Sequence, residues 1–151
     1  MRYLVGVGNV LAGDDGVGPR VVEQAAAGGL DPGVVAVDLA TDALSLVAYL
    51  GDETEALLVV DAARLGLAPG EYRIFSPDEV ETTKELSGLT THEGDVIRVV
   101  ELARGAGYAI PPLAVMGIEP CDTGTATSLS ECLAGRVPGY AAAAIERLRA
   151  L

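Results

Sequence analysis

The sequence predicts an α/β protein: helix layers on both faces of a mostly parallel, twisted sheet, with one antiparallel strand. Three observations carry that expectation. Short β-branched apolar runs alternate with helical patterns along the chain, as parallel strands joined by crossover helices do. Three of the runs are followed closely by aspartate, at the place where open parallel sheets bind ligands. A glycine-rich loop, VGVGNVLAGDDGVG (5–18), stands between the first run and the first helical pattern.

RYLVGVG (2–8) reads as a buried strand. GPRVVEQAAAGG (18–29) reads as a helix with Pro19 at its first position and glycines past its end. GVVAVD (33–38) and ALLVVD (56–61) are the next two strands, separated by the helical pattern DALSLVAYL (42–50). Only nine residues lie between Asp61 and EYRIF (71–75), too few for a helical crossover, so that strand is expected to run antiparallel. Residues 76–89 are acidic and weakly periodic and read as a surface segment. GDVIRVVELARGAG (94–107) is helical and leads into PLAVMGI (112–118), a further parallel strand. PGYAAAAIERLRAL (138–151) closes the chain as an amphipathic helix, with Tyr140, Ala144, Ile145, Leu148 and Leu151 on one side. There is no internal repeat, and a chain of 151 residues is about one domain long, so residues 1–151 are expected to form a single domain.

Composition excludes several function classes. Ten basic residues against 22 acidic ones give a net charge of −12, and Lys84 is the only lysine. No basic stripe is available to follow a phosphate backbone, so nucleic acid is not an expected partner. The same charge repels an anionic membrane. Cys121 and Cys132 form no CxxC pair, which leaves zinc-ribbon and dithiol readings without support and suits two free thiols in a reducing cytoplasm. The apolar run from Tyr3 to Leu11 is interrupted by Asn9 and followed by acids, unlike a cleavable signal. No run approaches the roughly eighteen apolar residues of a membrane helix. A cytoplasmic protein, monomeric by default, is expected.

The chemistry concentrates at strand ends. Asp14 and Asp15 follow the first strand, Asp38 ends the second and Asp61 ends the third. Each alone is an ordinary turn residue; together they converge on the crevice beyond the sheet. Two carboxylates such as Asp15 and Asp61, about 5 Å apart at an effective dielectric near 20, repel by roughly 3 kcal/mol. A proton, an arginine or a cation relieves that repulsion. His92, the only histidine, lies in TTHEGD (90–95), where Thr90 and Glu93 have capping-box spacing. In a first helical turn the dipole disfavours imidazolium and keeps a ring nitrogen available as a ligand. Two carboxylates and an imidazole suit nickel or zinc better than calcium, and three ligands leave coordination positions open.

Other readings of the same residues are weaker. GVGNVL supplies two glycines of a dinucleotide fingerprint, with Asp38 where a ribose-binding acid stands, but Leu11 replaces the third glycine. A loop also intervenes before the helix, holding any pyrophosphate away from its amino terminus. A phosphoacceptor receiver needs a lysine after its last strand, where GIEP stands instead. A Cys121–His92 thiol dyad has nothing in the sequence to orient or activate it.

From GVGNVLAGDDGVG (6–18) onward the chain resembles the hydrogenase maturation endopeptidases, which trim nickel-iron hydrogenase large subunits. The resemblance continues through VVDA (59–62), TTHEG (90–94), GIEP (117–120) and the Leu129–Ser130 pair, and so spans essentially the whole chain. It implies a three-layer α/β/α fold, and an endopeptidase that removes the carboxyl-terminal extension of a nickel-loaded large-subunit precursor. It implies that Asp15, Asp61 and His92 meet nickel supplied by that substrate, with no permanent metal. Asp14, Asp38 and Thr41 are further candidates for positioning loops or contacting substrate. Where the family often has a Gly-Gly-Thr turn after the second strand, this chain reads DLAT (38–41). Leu39 and Ala40 resist positive φ, so a differently shaped turn is expected there.

Overall fold

The apolar runs form five strands of one sheet: β1 (Arg2–Gly6), β2 (Val34–Asp38), β3 (Ala56–Ala62), β4 (Tyr72–Phe75) and β5 (Leu113–Ile118), in the order β2-β1-β3-β5-β4. The computed structural model describes residues 1–79 and 91–151, with residues 91–95 described through their backbone alone. β1, β2, β3 and β5 pair in parallel, and β4 lies antiparallel on β5, with Tyr72 opposite Ile118 and Phe75 opposite Val115. The antiparallel strand follows from its short connection, which returns the chain to the sheet in reverse.

Side-chain alternation builds two cores. Leu4, Leu58, Val60, Met116 and Ile118 face one way and pack under helices α1 (Val17–Ala27) and α4 (Val137–Ala150). Val5, Leu57, Val59 and Val115 face the other way, toward helix α2 (Thr91–Gly105) and a 3-10 run, Ala43–Tyr49. A short helix, α3 (Glu131–Ala134), precedes α4. β3 is buried at all seven of its positions, as befits a strand covered on both faces, and each buried leucine such as Leu58 contributes about 1.5–3 kcal/mol. Among the described residues no helix is long and apolar enough to cross a membrane.

Two local expectations change, and a third lies mostly outside the described residues. Pro19 is the third residue of α1, not the first, because Val17 and Gly18 already have helical geometry; its missing N–H still falls among the first four, which have no intrahelical acceptor. Residues 43–49 wind as 3-10, with the Asp42 carboxylate accepting the Ser45 N–H at 3.3 Å at their start. Of the acidic segment 76–89, residues Pro77–Glu79 form a 3-10 turn and 80–89 lie outside the described residues.

The glycines of the first loop serve close packing. A Cβ on Gly18 would sit 2.3 Å from the Val60 carbonyl oxygen and 2.4 Å from that of Val7. The first turn of α1 therefore rests directly on the ends of β1 and β3. A Gly18→Ala variant is expected to lose roughly 2–3 kcal/mol, seen as a lowered urea midpoint with an unchanged m-value.

Candidate active site at the carboxyl edge of the sheet

Asp14, Asp61 and Glu119 are the charged residues buried among those described, and all three lie at the carboxyl edge of the parallel strands. Asp61 is the penultimate residue of β3, opposite Gly117 of β5, and is fully buried. By alternation it shares the side of Leu57 and Val59, the side covered by α2. Asp14 and Asp15 lie in a 3-10 turn, Gly13–Gly16, that runs into α1 and packs against β3.

These adjacent acids part company. Asp15 is half-buried, and its Oδ2 accepts the Asn9 N–H at 3.1 Å. Gly8 makes this possible, because a Cβ there would lie 2.1 Å from the Asp15 carbonyl oxygen. Asp14 turns away into the protein. Its Oδ2 accepts the N–H groups of Cys121 and Asp122, both at 2.9 Å, and the Ser130 hydroxyl at 2.8 Å. Its Oδ1 accepts the Ser130 N–H at 2.7 Å. Burial alone raises the Asp14 pKa, but the hydrogen bonds from Asp122, Ser130 and Cys121 outweigh it and hold the carboxyl below its ordinary value. Those four donors make Asp14 the anchor of the loop between β5 and α3.

The remaining sequence candidates fall in different settings. His92 lies in the first turn of α2, and α2 packs on β3. Its side chain, and Thr90 of the capping pair, lie outside the described residues. Asp38 is exposed at the end of β2, two strand spacings or about 10 Å from the line of β3. It shapes its own turn, accepting the Ala40 N–H at 2.8 Å. Thr41 is exposed and lines a cavity of about 280 Å³ with Asp42, Arg98 and Leu102. Ala40 takes φ +50°, so the DLAT turn adopts the left-handed form that its side chains disfavour.

Sequence reasoning missed the work of Glu119. Its Oε1 accepts the N–H groups of Leu65 at 3.0 Å and Leu67 at 2.8 Å. The available signal was an acid placed directly after an apolar strand and before proline. On the same rim, Arg64 donates to the Thr123 hydroxyl at 3.2 Å.

The edge therefore carries two anchored carboxylates, Asp14 and Glu119, with Asp15 and Asp61 on packed elements of the same edge. Oxygen donors of this kind, with an imidazole, can hold a borderline divalent metal ion.

Residues 19–147 match a family model described as hydrogenase maturation protease. The chain is 33% identical over 152 residues to the hydrogenase expression/formation protein HupD of Rhodobacter capsulatus, covering 99% of this chain and 72% of that protein. It is 39% identical over 118 residues to the hydrogenase 3 maturation protease of Escherichia coli strain K12, covering 78% of this chain and 71% of that protein. Its fold is similar to that of the hydrogenase maturating endopeptidase HybD from E. coli, with a TM-score of 0.81 at 22% identity over 99% of this chain and 92% of that one.

The Asp14 anchor has a pH signature. With its folded pKa lowered from 3.8, its stabilisation is present above the unfolded value and is lost as pH falls through the folded one. Asp14→Ala is expected to cost roughly 3 kcal/mol or more at pH 7, since it strands several donors. The stability gap between wild type and Asp14→Asn should narrow as pH falls below about 4, measured by urea unfolding across a pH series.

Proposed function

Since this chain belongs to the hydrogenase maturation protease family, we propose that it removes the carboxyl-terminal extension of a nickel-loaded hydrogenase large-subunit precursor, with Asp15, Asp61 and His92 as its contacts to the substrate's nickel. Processing of the large subunit is the role of that family, and the chain is a hydrolase. The observation that carries the residue assignment is the convergence on β3: its penultimate residue is the buried Asp61, and both the turn bearing Asp15 and the helix bearing His92 pack against it.

In this reading the nickel belongs to the substrate, and the protein holds no metal of its own. Carboxylates and an imidazole satisfy open coordination positions of that nickel, so a precursor is gripped only after its metal is installed. The grip places the scissile bond over the sheet edge, where water adds across it to release a shortened subunit and a peptide. Holding the reacting groups in this way converts a bimolecular encounter into a local one. Asp14 keeps the rim in place from below, and the Asp38–Thr41 turn lies where it can meet flanking substrate chain. The protein acts as a monomeric single domain in the cytoplasm.

The test is incubation with large-subunit precursor, with and without nickel, read by mass. Nickel-loaded precursor is expected to lose its extension and nickel-free precursor to stay intact. Equal cleavage of both would overturn the nickel contact. His92→Ala is expected to reduce processing at least 100-fold, the scale of losing a group from an assembled site, with an unchanged circular dichroism spectrum. A variant that still processes at the wild-type rate would remove His92 from the site.

A further inference from the structure

Glu119 is a buried acid that the proposed reaction leaves without a task. Its polar groups go to the connection between β3 and β4. Its carboxylate accepts from Leu65 and Leu67. Its N–H donates to the Glu71 carbonyl and its own carbonyl accepts the Gly70 N–H, both at 2.8 Å. One residue earlier, the Ile118 carbonyl accepts the Ala63 N–H at 2.9 Å. From the other side the Tyr140 hydroxyl donates to the Gly70 carbonyl. The connection that begins just after Asp61 is thus wrapped around one side chain.

We propose that Glu119 is a positioning residue of the peptidase reaction, which fixes the path by which the chain leaves β3 and so places Asp61 and Arg64 for the substrate. Two N–H groups two residues apart share one acceptor oxygen only where the chain curls round it. Without that acceptor the amides of Leu65 and Leu67 turn to water and the curl opens. Between the curl and Asp61 stand Ala62, Ala63 and Arg64; the two alanines are buried and small, and the β5 ladder holds them on one side, with Ala62 opposite Ile118. Arg64 precedes the first anchored amide, and its bond to Thr123 links this connection to the loop that Asp14 holds. A displacement of about 1 Å in a positioned group lowers turnover by about 100-fold.

This inference rests on the processing reaction, so its test has two arms. In the first, nickel-loaded precursor is processed by wild type, Glu119→Ala, Glu119→Asp and Glu119→Gln. In the second, amide hydrogen exchange is measured on the same proteins without substrate. Glu119→Ala is expected to lower kcat about 10- to 100-fold with KM within about threefold. The Ala63 amide should exchange at least about tenfold faster, while amides of β1 and α1 keep their protection. Glutamine retains an oxygen that can take both N–H bonds, so Glu119→Gln should stay within about threefold of wild type in kcat. Aspartate, one methylene shorter, should behave like alanine and serves as the informative variant if Glu119→Ala does not fold. Wild-type kcat in the alanine and aspartate variants, unchanged exchange at Ala63, or a glutamine variant as impaired as alanine would each overturn the positioning role. A wild type that leaves nickel-loaded precursor intact would instead overturn the processing reaction, with the exchange arm still deciding whether Glu119 holds the strand end.

Discussion

The carboxyl edge of this protein depends on one buried carboxylate. Moving an ion of that size out of water costs several kcal/mol even after relaxation, and Asp14 offsets it with four hydrogen bonds from three residues more than 100 positions away. The neighbouring backbone reinforces the clasp. Gly13 N–H donates to the Ala126 carbonyl at 3.1 Å, and Asp14 N–H to the Asp122 carbonyl at 2.8 Å. The turn after β1 and the loop after β5 are consequently one unit. Because that turn also packs on β3, the clasp holds the turn that carries Asp15 against the strand that carries Asp61.

This arrangement separates two acids that are adjacent in sequence. Both oxygens of Asp14 are engaged by protein donors, so a metal ligated there would have to displace bonds that keep the rim together. Asp15 is half-exposed on the same turn, and its Oδ2 accepts the Asn9 N–H. A 3-10 turn advances about 120° per residue, which is why consecutive side chains on it can face the interior and the rim. The two adjacent acids therefore differ in setting: Asp14 is buried and bonded through both oxygens, and Asp15 is half-exposed.

The sheet was legible in the sequence because its signals are local: apolar runs of the right length, a period change between them, and a connection too short to cross over. The partition of the acids was not local. Asp14 acts through Cys121, Asp122 and Ser130, and Glu119 through Leu65 and Leu67, and those pairings exist only once the strands are ordered. Pro19 stands two positions into α1 because Val17 and Gly18 extend the helix onto the sheet, a consequence of the close approach that Gly18 permits. The seven residues after Asp42 have a helical apolar pattern, but they pack as 3-10, a difference of one hydrogen-bond step that periodicity does not resolve.

The turn after β2 shows how a fold holds a shape its residues resist. An alanine at positive φ sits about 1–2 kcal/mol above its preferred region. Ala40 remains at φ +50° because both its polar backbone groups are held: its N–H by the Asp38 carboxylate and its carbonyl by the Gly8 N–H at 2.8 Å. The second of these ties the turn to the first loop, one residue from Asn9, whose N–H meets Asp15. Ala40 therefore keeps a left-handed turn that its side chain disfavours, tied to the first loop. Asp38 stands too far along the sheet to join Asp61, but it acts on the same edge through Ala40 and Gly8. Three acids, Asp14, Asp38 and Glu119, thus spend their charge on backbone N–H groups around the rim, and that frame holds the turn that carries Asp15 and the chain that leaves β3 after Asp61.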